Sequence, residues 1–230
     1  MISTIGFLGA GEMGSGMVRR LLQRSHRVIV WSRVPEKHAE LGSLGAELSG
    51  SIADTVSASD LVLGCLRDTA VTRECYLGER GVIANARDGQ TIIEHGTFSP
   101  ALAVEIAHAA AARGAAFLDA PVTGGPERAR SGSLVTMVGG NPASLEAVRS
   151  VLDAYCAQIT LVGPAGSGER LKLVNQLLVS IHVAAAAEAS ALLMREGIDP
   201  AIAERVLMAG WAASAMLERT MPRALSLIHI

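Results

Sequence analysis

The sequence of 230 residues predicts an α/β fold, a doubly wound and mostly parallel sheet followed by an all-α domain that opens with a long helix. Three observations lead there. Short apolar runs alternate with helix-patterned stretches up to about residue 161, and β-α repetition implies a parallel sheet covered on both faces. The first apolar run ends in G-x-G-x-x-G, formed by Gly9, Gly11 and Gly14, with a helical pattern directly behind it. After Gly163-Pro164-Ala165-Gly166 the alternation gives way to an unbroken helical stretch.

In chain order, short apolar runs place strands at residues 4–8, 27–31, 60–66, 91–94 and 116–118, with later ones at 134–138 and 158–161. Helices are expected at 12–23, 35–41, 69–76, 100–113 and 142–154. Pro35, Pro100 and Pro142 open three of these, where a missing N–H costs nothing. Nothing interrupts a helix over 169–196, which at the α-helical rise is on the order of 40 Å long. Gly197 stands where a C-terminal cap belongs, and a further helix follows at 200–208. The domains are therefore set at 1–163 and 164–230.

Half the residues are hydrophobic but only 3% are aromatic, so the core must be built from Ala, Leu, Val and Ile. A net charge of −2 gives no electrostatic case for nucleic acid or an anionic membrane. Cys65, Cys75 and Cys156 are scattered and read as buried small hydrophobes in a reducing cytoplasm. The N-terminus lacks a basic leader, and no metal-ligand spacing links His26, His38, His95 and His108. The stretch 177–194 is apolar apart from Ser180, His182, Glu188 and Ser190, which suits a buried helix of a soluble protein better than a lipid-facing one. The apolar ending Leu225-Ser226-Leu227-Ile228-His229-Ile230 is expected either of a truncated helical domain or of one covered by a dimer partner, and truncation is the reading we adopt.

A strand that turns through this glycine spacing into a helix makes a pyrophosphate site, as in a Rossmann-type domain. Gly9 permits the turn, Gly11 admits the phosphates and Gly14 lets helix and strand approach, while the helix's unpaired N–H groups face the anion. An ordinary glycine-rich turn has the same composition, but lacks the strand before and the helix after. At the tip of the second strand, Val30-Trp31-Ser32-Arg33 offers no carboxylate for a ribose 2′-OH. Ser32 and Arg33 suit a 2′-phosphate instead, so NADP is expected over NAD, unless Arg33 is only a solvated turn residue.

Two further segments carry chemistry. In Leu118-Asp119-Ala120-Pro121-Val122-Thr123-Gly124-Gly125 a strand end runs into a glycine turn, and the Thr123 hydroxyl with the Gly124 and Gly125 amides could hold a substrate carboxylate. The alternative is a simple turn. In the second, Lys172 sits in the first turns of an apolar helix, with Asn175 one turn on and Gln176 beside it. A lysine there is costly unless paired or working, and near a nicotinamide it could serve as general acid/base. A snorkelling lysine is the alternative.

Together these segments resemble the β-hydroxyacid dehydrogenase family, which includes 3-hydroxyisobutyrate dehydrogenase and the tartronate-semialdehyde and glyoxylate/succinic-semialdehyde reductases. Gly6-Phe7-Leu8-Gly9-Ala10-Gly11-Glu12-Met13-Gly14 is similar to its N-terminal signature. Asp119-Ala120-Pro121-Val122-Thr123-Gly124-Gly125 resembles its substrate segment, and Gly166-x-Gly168-x-x-x-Lys172-x-x-Asn175 its catalytic helix. The resemblance implies that Lys172 is the general acid/base, that Thr123, Gly124 and Gly125 bind a substrate carboxylate, and that Asn175 and Gln176 orient the substrate. It also implies cofactor contacts from Gly9, Ala10, Gly11, Glu12, Met13, Gly14, Ser32, Arg33, Leu66 and Thr97. Trp31-Ser32-Arg33 resembles the phosphate-accepting variant of the second strand. Gly96 departs from the serine usual there, and Gln176 from the second asparagine of an Asn-Asn pair, as in the tartronate-semialdehyde branch. Family members also continue through further helices.

The expected function is therefore an NADP-dependent oxidoreductase interconverting a small β-hydroxy acid and its semialdehyde or keto acid, cytoplasmic, and homo-oligomeric when full length. A non-catalytic dinucleotide-binding protein or inactive fragment stays open. An imine reductase-like enzyme also stays open, although Lys172 stands where those proteins usually carry another residue type.

Overall fold

The computed structural model describes residues 2–33 and 39–226, with side chains described through Pro222. Its first compact unit, Met1–Lys172, is built on one sheet. Five parallel neighbours form its centre: β2 (Arg27–Trp31), β1 (Thr4–Leu8), β4 (Leu61–Gly64), β5 (Thr91–Glu94) and β6 (Ala116–Asp119). A two-residue strand, β3 (Glu47–Leu48), adds parallel to β2 at one edge. At the other, β8 (Leu134–Gly139) runs antiparallel to β6 and to the short β7 (Val122–Thr123), and parallel to β9 (Cys156–Gly163).

Chain order reverses between β1 and β4, the switch point at which open α/β sheets bind ligands. Period-two geometry then divides the core. Ile5, Phe7, Leu61, Leu63 and Ile93 pack on one face with Met17 and Leu21 of α1 (Glu12–Gln23) and Val148 and Leu152 of α8 (Pro142–Leu152). Leu8, Val62 and Ile92 point to the other, against Tyr76 of α4 (Thr69–Leu77) and Leu102 and Ile106 of α6 (Pro100–Ala111). Strands buried on both faces read as continuous apolar runs, which is why these were plain in the sequence.

The short elements were not. Neither β3 nor β7 is long enough to show a period. The helices α3 (Ile52–Ser57), α5 (Val82–Asn85) and α7 (Gly125–Ser131) are single turns or little more; α3 is capped by the Ser51 hydroxyl accepting from the Asp54 amide at 3.0 Å, while α5 and α7 start at glycines without a side-chain cap. The helix expected over 35–41 lies largely outside the described residues; α2 covers Ala39–Ser43.

The long helix is α9 (Ser167–Arg195), followed by α10 (Pro200–Met208) and by α11 (Ala215–Ser226), which the sequence reading did not place. The compact units divide inside α9, after Lys172, because its first turns are held by the sheet unit. The second unit, Leu173–Ile230, has a small core of Ala186, Leu217 and Met221. The expectation that 177–194 is a buried helix is corrected here: Leu177 is 60% exposed, and Leu178, Ile181 and Leu192 are about half exposed. Two short helices present too little surface to enclose a 29-residue one. By length and composition α9 could cross a membrane, a test that soluble core helices also pass. Of the terminal run 225–230, residues 227–230 lie outside the described residues.

Candidate functional site

The glycine loop leaves β1 at Leu8. Gly9 has φ +86°, a left-handed conformation that favours glycine, and its amide donates to the Trp31 carbonyl at 2.9 Å. A Cβ on Gly14 would strike the Gly9 carbonyl, so this residue sets the approach of α1 to β1. At Gly11 a Cβ would have no neighbour within 4 Å, and this N-cap makes no side-chain cap bond. The opening amides of α1 are thus left for an anion beside an open space.

That space is a cleft of about 430 Å³. Of the expected cofactor residues, Gly9, Gly11, Glu12, Met13, Gly14, Ser32, Arg33 and Leu66 line it, whereas Ala10 and Thr97 do not. Ala10 is buried in the sheet core instead. Arg33 is half exposed and meets Glu74 at 3.6 Å. Trp31, Cys65, Arg67, Val71 and Pro126 complete the walls. Arg67 could have been anticipated as a cation just past a strand end; Pro126 could not, since only the fold carries α7 to this cleft.

Behind the cleft, Glu94 at the end of β5 ties two loops together. Its Oε1 accepts from the Leu66 and Gly96 amides at 2.9 and 2.6 Å, and its Oε2 from the Tyr76 hydroxyl at 2.9 Å. Burial pushes the carboxyl up to about 7, against the pull of these bonds. A Cβ on Gly96 would lie 2.7 Å from Glu94 Oε1, a physical reason for glycine at this position. His95 is fully buried, contacting the Ala120 carbonyl through Nδ1 and the Tyr155 hydroxyl through Nε2 at 2.7 and 2.9 Å. Burial pushes it down to about 4, which keeps it neutral and structural.

The start of α9 is anchored on Asp119, the last residue of β6. Asp119 accepts from the Gly166 amide at 2.7 Å and the Glu169 amide at 2.9 Å, a buried carboxylate at a helix N-terminus. Burial raises its pKa. Gly168 makes this possible, because its Cβ would stand 2.6 Å from the Asp119 carbonyl. One turn later comes Lys172, only 7% exposed, with its pKa lowered by burial. Glu169 precedes it by three positions and is fully buried, its Oε2 accepting from the Phe98 amide at 3.1 Å. The sequence reading found Lys172 but neither Asp119 as its anchor nor Glu169 as its neighbour. An acid in the first turn of a helix is too common to single out Glu169, and Asp119, at a strand end, acts on amides 47 and 50 positions away.

After β7, Gly124 has φ +132° and Gly125 φ +76°, and α7 begins at once. Two consecutive residues of positive φ turn the chain into α7 directly after Thr123, which carries Pro126 to the cleft wall; Thr123, Gly124 and Gly125 are not themselves among the residues that line the cleft. Asn175 and Gln176 belong to the second compact unit, where the Asn175 side-chain amide donates to Gln176 Oε1 at 3.1 Å.

Comparison with known proteins identifies the family of the chain. The family model described as the NAD binding domain of 6-phosphogluconate dehydrogenase matches residues 4–163. The one described as NAD-binding of NADP-dependent 3-hydroxyisobutyrate dehydrogenase matches 166–227. The 2-hydroxy-3-oxopropionate reductase of Escherichia coli (strain K12) is 35% identical over 93% of this chain and 73% of its own length. The mitochondrial 3-hydroxyisobutyrate dehydrogenase of Rattus norvegicus is 32% identical over 88% of this chain and 61% of its own length, so the chain spans about three-fifths of that relative. The solved structure of Psf3 in complex with NADP+ and 2-OPP superposes with a TM-score of 0.92 at 31% identity, covering 96% of this chain and 78% of that one. The chain carries an NAD(P)-binding domain and belongs to the β-hydroxyacid dehydrogenase family, that of 3-hydroxyisobutyrate dehydrogenase.

Proposed function

We propose that this chain is the NADP-binding and proton-transferring part of an oxidoreductase that interconverts a small β-hydroxy acid and its semialdehyde or keto acid. The observation that carries the reading is Lys172: a nearly buried amine on a helix start fixed by Asp119, with its pKa lowered by desolvation. Such an amine can hand a proton to a carbonyl oxygen near neutral pH and take it back in the oxidative direction.

When bound, the nicotinamide supplies the hydride. The chain's own residues do the rest. The opening amides of α1 hold the pyrophosphate, and Gly11 leaves it room. Arg33 and Arg67, both in the cleft wall, supply guanidinium groups for a 2′-phosphate, and none of Trp31, Ser32 and Arg33, the described residues at the tip of β2, is a carboxylate that would favour a free ribose hydroxyl. Thr123, Gly124 and Gly125 receive the substrate carboxylate, and Asn175 and Gln176 orient it. NADP binding by Psf3, a structural neighbour, supports the cofactor choice.

Titrating the purified protein with NADPH and NADH, followed by a screen of small carboxylate-bearing semialdehydes, tests this reading. Tighter NADPH binding and NADPH oxidation by at least one semialdehyde are expected. NADPH binding without oxidation by any would favour a non-catalytic nucleotide-binding protein.

A further inference from the structure

Among the described residues, Glu169 Oε1 is the buried side-chain oxygen left without a hydrogen-bond partner. The rest of its residue is accounted for: the amide donates to Asp119, Oε2 accepts from Phe98, and no part of it is exposed. A buried carboxyl oxygen without a partner carries a desolvation penalty, larger if charged, so it is retained against a cost. Lys172 lies three positions on, on the same helical face, and no hydrogen bond or ion pair among the described residues engages its amine.

We propose that Glu169 is the proton partner of Lys172, the carboxyl reloading the amine one turn on along α9 through a single bridging water, since the two side chains make no direct hydrogen bond. This rests on the role proposed for Lys172. In the reductive direction the substrate oxygen takes a proton from the Lys172 ammonium, leaving a neutral amine. The Glu169 O–H then gives its proton to that amine through the bridging water, and the resulting carboxylate regains one from solvent. In the oxidative direction each transfer reverses. Glu169 is thus a positioning residue that keeps Lys172 loaded without touching substrate.

The surroundings favour a neutral resting carboxyl. Asp119 at the end of β6 and Glu94 at the end of β5 face Glu169 with like charge, and Lys172 is the cation that opposes them. Burial first, then those carboxylates, pushes Glu169 up to about 8, while burial holds Lys172 below the ordinary lysine value. The two approach each other, as proton transfer between them requires.

The test is the pH dependence of acylation of Lys172 by an amine-reactive reagent, read by peptide mass spectrometry on the wild type and on Glu169→Gln. It needs no turnover, so it is separate from the search for a substrate. Glutamine keeps an acceptor for Phe98 but cannot carry the transferable proton. The labelling midpoint is expected to fall by about one pH unit in the variant, because an opposing carboxylate is lost. An unmoved midpoint overturns the pairing even if Lys172 proves essential for turnover. Should Glu169→Gln not fold, acid–base titration of Lys172→Met against the wild type replaces it. Loss of one titrating group with an upward move of another near neutral pH is expected; loss of one group with no such move overturns the proposal.

Discussion

At the scale of single residues, the cleft turns on one missing atom and one charge. Gly14 lacks the Cβ that would strike the Gly9 carbonyl. Gly14→Ala should cost about 1–3 kcal/mol of stability by overpacking, seen as a lower denaturation midpoint, and should weaken dinucleotide binding. Arg33 is half exposed on the cleft wall and only loosely paired with Glu74. Arg33→Ala should weaken NADPH by about tenfold, roughly 1.4 kcal/mol, and leave NADH within about twofold, measured by fluorescence titration. Equal losses for both cofactors would mean that Arg33 does not read the 2′-phosphate. Much of this scale was legible in advance, since glycines at fixed spacing and a lysine in an apolar helix are departures from ordinary composition. Glu94 and Glu169 were not: a carboxyl's function here depends on which distant amides it accepts from, Leu66 in one case and Phe98 in the other.

At the scale of elements, α9 is the part that matters most. Its apolar run announced a helix, and Gly166-x-Gly168-x-x-x-Lys172 resembled a catalytic helix, but the fastening depends on Asp119, 47 positions before Gly166. Asp119→Asn replaces one accepting oxygen by a donor group, so one of the amides at Gly166 and Glu169 loses its partner. The expected loss is about 1–3 kcal/mol, with faster hydrogen exchange at residues 166–170 and unchanged exchange at 91–94. Uniform loss of protection across the sheet would point to general unfolding instead. The exposure of α9 beyond Lys172 was misjudged for a physical reason: hydrophobicity says that a face wants cover, while only the surrounding elements decide whether it finds any.

At the scale of the whole molecule, the buried carboxyls make stability depend on pH. Glu94 and Glu169 are pushed up to about 7 and about 8 from an ordinary 4.5. Between about pH 4.5 and those values the folded chain holds protons that the unfolded chain has released, so their contribution falls as pH rises. His95, pushed down to about 4 from 6.5, acts in the opposite sense only between those two values. The thermal midpoint should therefore fall from pH 6.5 to pH 8, and Glu169→Gln should flatten that slope; a rising midpoint in the wild type would contradict the assignment. The parallel strands were legible because they are buried on both faces, whereas this charge balance arises only once β5, β6 and α9 converge.

The role of Lys172 unites these scales, and one measurement tests it directly: NADPH oxidation with a semialdehyde substrate by the wild type and by Lys172→Ala, at saturating cofactor, alongside NADPH titration of both. Losing the general acid should lower turnover by about 10²–10⁴-fold while NADPH affinity stays within about twofold. Near-wild-type turnover in Lys172→Ala would contradict proton transfer by this residue.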